Sequence, residues 1–356
     1  MMDKFNWCPF SDCDLNDSFF DSLKSDYEEF PIWFNRKTAE GQNAFVYKED
    51  GKIKAFVYLK REDDETIELT ESTLPAEPRM KIGTLKISDD SQGMRLGEGA
   101  IGVSLWYWQQ LKYNQIYITV FEKHEKLIGM LEQFGFKLVG KNKRGENIYI
   151  KDRRNLCFDT PYTSFPYLSS DIRQCGYIPI QDTYHDTLFP YSELYGTSQA
   201  TEEIAAANGI TKVFLATPSS EINYIQNEPV LIYRIHTGSG QATYKSVVSS
   251  FCTVKEQIIV KQNGKCLITK EQFLNIVGNK TVFSNQELGG LYNRKNLVII
   301  ILIYNGYFGK GHNINHATLK EKGLFEGYPY LIKLTKEQFE QILEMGGKNV
   351  QNIIIN

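Results

Sequence analysis

Residue types and spacings capable of chemistry fall in four places along the 356 residues. The first is Ser91-Gln-Gly-Met-Arg-Leu-Gly-Glu-Gly-Ala100, which follows a strand-like run over 80–88 and opens a helix-like run reaching Leu111. A glycine-broken turn at a helix start presents amides that have no intrahelical partner, and the helix dipole adds positive potential in front of them. Together they form an anion site, most often for phosphate. The second is His185 beside Asp186 in Tyr184-His-Asp-Thr-Leu-Phe-Pro190, a pair that reads more readily as a hydrogen-bonded structural histidine than as a reactive one. The third, Cys8-Pro-Phe-Ser-Asp-Cys13, lacks a second ligand pair and reads as two free thiols. The fourth, His312 and His316, would share a face only on a helix; Gly309 and Gly311 argue for a loop and no third ligand is evident, so no metal is expected.

The elements that must position the glycine turn are legible around it. Asp17 to Tyr27 has Phe19, Phe20, Leu23 and Tyr27 at helical spacing. Two strand-like runs, 43–48 and 53–59, flank Asp50-Gly51, a strong hairpin signal. After the turn, Ile101, Leu105 and Trp108 mark the buried stripe of a helix. A strand over 114–121 follows, then a helix over 124–134 with Leu127, Ile128, Leu131 and Phe134 inward and Gly135 at its C-terminus. The runs 136–139 and 147–151 close a sheet as a hairpin.

This order resembles the GNAT acyltransferase fold over about residues 1–151. The family's Arg/Gln-x-x-Gly-x-Gly/Ala motif is matched by Gln92 and Gly97 with Gly93 between, and by Gly135-Phe136 downstream; Arg95 stands where the family usually has glycine. The resemblance implies an acyl-CoA, acetyl-CoA first. Its pyrophosphate would meet Gln92, Gly93, Met94, Arg95, Leu96, Gly97 and Glu98, and its pantetheine the main chain of Leu85, Lys86 and Ile87. Arg95 is tolerable if its backbone is already helical, and its guanidinium could reach a phosphate. Many GNAT enzymes place an acid tyrosine four residues before the Gly-Phe, where this chain has Leu131. His124 and Glu122 are the replacements in reach of the 114–121 strand, and Tyr113, Tyr117 and Tyr149 are further phenols.

Residues 152–207 shift to a proline- and aromatic-rich composition and read as an extended connector packed between domains. From 208 to 356, strand-like runs near 212–217, 229–234, 242–254 and 297–304 alternate with helices near 269–277, 284–292 and 335–345. Ser284 and Thr335 each precede an acidic or amide residue three positions on, a capping signature. This half looks like a PUA-like fold, the group that includes ASCH and EVE domains, on the strength of Glu228-Pro-Val-Leu-Ile-Tyr-Arg, Tyr244-Lys-Ser-Val-Val-Ser-Ser-Phe and Lys280-Thr-Val-Phe-Ser-Asn-Gln-Glu-Leu. Such domains read RNA or modified bases, so Tyr233, Arg234, Lys245, Ser246, Ser249 and Arg294 become candidate nucleotide-binding residues. The expected class is α+β, with a mixed, mostly antiparallel GNAT sheet flanked by helices and a small PUA-like β-barrel domain with peripheral helices.

Bulk properties set the bounds. Residues 1–150 carry 20 Lys+Arg against 25 Asp+Glu, a net −5, and 151–356 carry 20 against 18, a net +2. Neither half is basic enough to draw nucleic acid by charge alone. No apolar run approaches a membrane span of about 20 residues, no leader pattern opens the chain, and six scattered cysteines suit reduced thiols in a cytoplasm. Two readings follow. One is an acyl-CoA-dependent N-acyltransferase whose C-terminal module recruits an RNA, an aminoacyl-tRNA or another nucleotide-bearing acceptor. The other is an inactive scaffold carrying a nucleic-acid or modified-base reader, a reading that admits a toxin–antitoxin or phage-defence setting.

Overall fold

The computed structural model describes residues 4–111, 113–194 and 205–356. The chain divides into two compact units, 1–156 and 157–356. The span read as a connector belongs, as far as it is described, to the second unit from Cys157 onward; Tyr195 and the rest of 195–204 lie outside the described residues.

The first unit is built on a seven-stranded sheet: β1 (Asn6–Pro9), β2 (Asn43–Glu49), β3 (Lys52–Glu62), β4 (Arg79–Ile87), β5 (Gln115–Val120), β6 (Lys137–Lys141) and β7 (Asn147–Asp152). Spatial order is β1-β2-β3-β4-β5-β7-β6. Among the described residues of this sheet only β4 and β5 run parallel; their connection carries α3, as a parallel crossover requires. Asp50 and Gly51 both adopt positive φ in the β2–β3 turn, the geometry that Asp-Gly favours. The N-terminal stretch read as one helix is a 3-10 turn, Ser18–Phe20, followed by the short α1 (Asp21–Asp26). A further helix, α2 (Phe30–Ala39), has Pro31 in its first turn, where the missing N–H costs nothing. Phe10, Phe20, Phe30, Phe34 and Phe56 pack edge-on and tilted into one aromatic cluster over this face. Each fully buried ring contributes about 1.5–3 kcal/mol. α3 (Leu96–Gln110) packs on β3 and β4, with Ile101, Leu105 and Trp108 fully buried, and α4 (Glu125–Gln133) packs beside it.

The second unit holds β8 (Cys175–Gln181), β9 (Thr211–Ala216), β10 (Pro229–Ile235), β11 (Val247–Gln262), β12 (Leu297–Tyr307) and β13 (Lys333–Leu334), in the order β9-β12-β11-β10-β8-β13. Among the described residues β9 and β13 do not pair, so the sheet is open and the expected barrel does not close. The α+β class stands, with mixed sheets flanked by helices. The strand expected from 242 begins only at Val247, because Ala242–Lys245 turns as a short helix; β11 then runs on to Gln262 through Ile258, Ile259 and Val260. Besides one-turn helices such as Ala242–Lys245, the unit carries α5 (Asp182–Leu188), α6 (Lys270–Val277), α7 (Asn285–Tyr292), α8 (His316–Glu321) and α9 (Lys336–Met345). Ser284 and Thr335 do close capping boxes, on Glu287 and Gln338, and Thr269 closes a third on Gln272. One face of the sheet buries Phe339, Ile342 and Leu343 of α9; another apolar cluster joins Phe273 of α6 and Leu288 of α7 to Val213, Ile299 and Ile301.

Candidate functional site

In the first unit, β4 and β5 pair only as far as Ile82↔Ile118, although β4 continues to Ile87 and β5 to Val120. β4 keeps its other partner, β3, to the end, and the register there skips Gly83 between Thr84 and Ile82. A bulge therefore sits where the two strands part, the kind of irregularity that re-aims backbone beside active sites. Beyond it, five residues of β4 face an opening about 16 Å long at about 3.3 Å per residue.

That opening belongs to a cleft of about 1540 Å³ lined by Leu85, Lys86, Ile87, Gln92, Gly93, Arg95, Leu96, Gly97, Glu98 and His124, among others. Of the predicted cofactor residues only Met94 is not on its wall. The helix start is as the sequence reading required, with one correction. Arg95 is not helical but left-handed, at φ 57° and ψ 22°, a conformation that costs a non-glycine residue about 1 kcal/mol or more. Glycine is natural in this conformation, which explains why arginine looked out of place. Its guanidinium turns to Glu98, at 3.1 Å from Nε and 2.5 Å from Nη2, while Nη1 is buried without a hydrogen-bond partner. An orphaned guanidinium N–H at a helix N-terminus is a donor waiting for an anion. Gly97 lies against α4: a Cβ there would come within 2.9 Å of Met130 Cε.

The predicted proton-transfer residues separate. His124 caps α4 and lines the cleft; burial, then Lys123 and Lys86, push its pKa below the ordinary 6.5, with Asp26 opposing. Glu122 is 77% exposed and pairs with Lys141 at 3.2 Å, so it takes no part in the cleft wall. Leu131 is fully buried, and Glu125, Lys126, Leu127 and Met130 are the α4 residues that line the cleft. Each further phenol donates to a carboxylate: Tyr113 to Asp63 at 2.6 Å, Tyr117 to Glu62 at 2.5 Å and Tyr149 to Glu132 at 3.2 Å. Sequence reasoning missed Tyr27 and Glu146, which meet across the cleft at 2.9 Å.

In the second unit the predicted residues are mostly internal. His185 is fully buried, with Nδ1 at 2.8 Å from Asp186 and Nε2 at 2.7 Å from Ser249. The serine–histidine–aspartate order looks like a nucleophile relay, but Ser249 has no exposed surface on which a substrate could be attacked, and the link is structural. Arg234 grips Asp186 through Nε at 2.7 Å and Nη2 at 2.8 Å. Tyr233 is buried against Phe325 and bonds His316 at 3.0 Å, and Ser246 is buried, accepting from the His236 amide. Lys245 is exposed and donates to the Ser239 carbonyl. Arg294 stands apart from them, on a shallow depression of about 440 Å³ with Tyr184, Phe283 and Asn293.

No protein-family model matches the chain, and no curated protein matches it. Solved structures do overlap parts of it. A mutant of ZmASCH from Zymomonas mobilis is 11% identical over 49% of this chain and 96% of that one, at a TM-score of 0.30. A mutant AtaT toxin bound to the C-terminus of the antitoxin AtaR and acetyl-CoA is 14% identical over 42% and 94%, at 0.31. A GNAT-family acetyltransferase from Streptococcus pneumoniae is 13% identical over 42% and 97%, at 0.30. At these identities and TM-scores the likenesses assign neither a family nor an activity. No helix among the described residues is long and apolar enough to cross a membrane.

Proposed function

We propose that the first unit binds an acyl-CoA, acetyl-CoA in the simplest case, and transfers its acyl group to an amine. The observation that carries this reading is the parting of β4 from β5 beyond Ile82, in one cleft with the α3 N-terminus and the unpaired Nη1 of Arg95. These residues fit the group: an extended open edge for an amide-bearing chain, then helix-start donors and a guanidinium for phosphate. Bound there, an acyl-CoA supplies an activated carbonyl carbon, to which the amine nitrogen bonds as the carbon–sulfur bond breaks and the thiolate leaves. The main chain of Leu85, Lys86 and Ile87 orients the ligand, and Gly97, Leu96 and Arg95 hold its charge. His124, kept neutral by its lowered pKa, accepts the proton that the amine sheds.

Binding without turnover is the second reading, and Leu131 favours it: the usual acid position is sunk in the core, and the nearby phenols already donate to carboxylates. Recruitment of an RNA, aminoacyl-tRNA or nucleotide-bearing acceptor by the second unit is narrowed to Lys245 and Arg294, since Tyr233, Arg234, Ser246 and Ser249 are engaged inside it.

Thermal melting with acetyl-CoA tests the reading. Ligand at a hundred times Kd adds about 2.7 kcal/mol to the state that binds it, so the first unit's transition is expected to rise by several degrees. No shift at millimolar acetyl-CoA would contradict it. A shift without acyl transfer to any amine would select the second reading.

A further inference from the structure

Glu146 is a carboxylate buried to 5% exposure beside β7, and it lines the cleft. Its oxygens accept from the Tyr27 hydroxyl at 2.9 Å and from Asn142 Nδ2 at 2.8 Å. Both donors are neutral. Three other carboxylates that line the cleft each hold a cation: Asp26 has Lys123 at 2.9 Å, Glu29 has Arg144 at 3.0 Å, and Glu62 has Lys60 at 2.7 Å. Burial and then the charge of Glu146 push the Tyr27 phenol well above its ordinary pKa. A buried carboxylate met only by neutral donors keeps a net negative potential, and a cation entering beside it recovers energy lost on desolvation.

The surroundings limit what can enter. Residues 26–29 are fastened to the opposite wall at three points, Asp26 to Lys123, Tyr27 to Glu146 and Glu29 to Arg144. Tyr27 also stacks on Phe121, with centroids 6.1 Å apart. These ties bound the space next to Glu146, and a polypeptide or RNA strand passing between the walls would have to break them.

We propose that the acceptor is a small aliphatic amine with two nitrogens: one, uncharged, is acylated, and the other, a non-reacting ammonium group, is received by Glu146, with Tyr27 and Asn142 as positioning residues. This rests on the acyl-transfer reading of the same cleft. The test is binding, by calorimetry, of coenzyme A and of three conjugates joined to it through an acetyl bridge. One ends in a short alkylammonium, one in the isosteric alkyl chain, and one in a hexapeptide. The alkylammonium conjugate is expected to bind at least tenfold tighter than coenzyme A, and the other two no tighter. Glu146→Gln should erase that gain while leaving coenzyme A itself within about twofold. Equal binding of the ammonium and alkyl conjugates, a gain that survives Glu146→Gln, or a peptide conjugate that binds tightest would each overturn the proposal. Should Glu146→Gln not fold, the ammonium–alkyl comparison on the unmodified protein decides alone. If coenzyme A and all conjugates fail to bind, the acyl-transfer reading itself falls, a result distinct from any of these.

Discussion

Replacing His124 with alanine is expected to lower kcat for acyl transfer by about 10²–10⁴-fold, with acetyl-CoA affinity left within about twofold. The imidazole is the titratable group that both stands at the end of β5 and faces the cleft with a shifted pKa toward neutrality of charge. Because burial and two lysines lower that pKa, the group is unprotonated at pH 7 and can accept a proton at once. The sign of the pH dependence follows. Activity should hold steady above the ordinary value of 6.5 and fall as acid protonates the ring at its lower folded-state pKa. The profile of kcat/KM against pH reads this midpoint directly. A loss under threefold, with the acid limb unmoved in the variant, would return His124 to the role of a surface helix cap.

The second large effect is on stability. Asp186→Ala should destabilise the second unit by about 3–5 kcal/mol, because it strands two partners at once. His185, fully buried, loses the acceptor at its Nδ1, and the Arg234 guanidinium, 11% exposed, loses both its close contacts to Asp186. For a unit of this size that corresponds to a drop of about 6–20 °C in its melting transition. Asp186 and Asp182 lie on α5 and stitch it to the ends of β10 and the following loop, the latter through His236 at 3.0 Å and the Thr237 hydroxyl at 2.6 Å. Linkage gives an independent check. Burial lowers the His185 pKa below 6.5, so the unfolded chain takes up that proton first, and stability declines as pH falls through the interval below 6.5. Asp186, held down by Arg234 and His185 against its own burial, adds stability that is present above 3.8 and lost as pH falls through its lower folded value. Urea melts at several pH values would show both slopes; a variant that melts with the parent would mean that α5 is held by packing alone.

Much of the first unit was legible because its signals are local. Asp50-Gly51 fixed a hairpin, Ile101, Leu105 and Trp108 a helix stripe, and Gly93 with Gly97 a helix start. What escaped reading depends on partners far along the chain. Tyr27 and Glu146 are 119 residues apart, and nothing near either one announces the other. Arg95 was read from its place in a motif, whereas its left-handed backbone and its pairing with Glu98 are properties of the turn as folded. In the second unit, β8 was hidden by Pro179, a residue that argues against a central strand. It is accommodated because, among the described residues, β8 pairs with β13 only at Cys175 and Gly176, which leaves that edge without a partner strand where Pro179 lies. Tyr233, Ser246 and Ser249 were singled out as candidate nucleotide-binding residues; in the folded unit they are buried and hydrogen-bond with His316, His236 and His185.

The central claim is that the gap between β4 and β5 receives an acyl-CoA, and amide hydrogen exchange with and without acetyl-CoA tests it most directly. Bound ligand is expected to slow exchange at the backbone of 83–87, at the α3 start over 96–98, and around His124, with the second unit unchanged. Exchange that is identical with and without the ligand at millimolar concentration, or protection confined to the second unit, would contradict it.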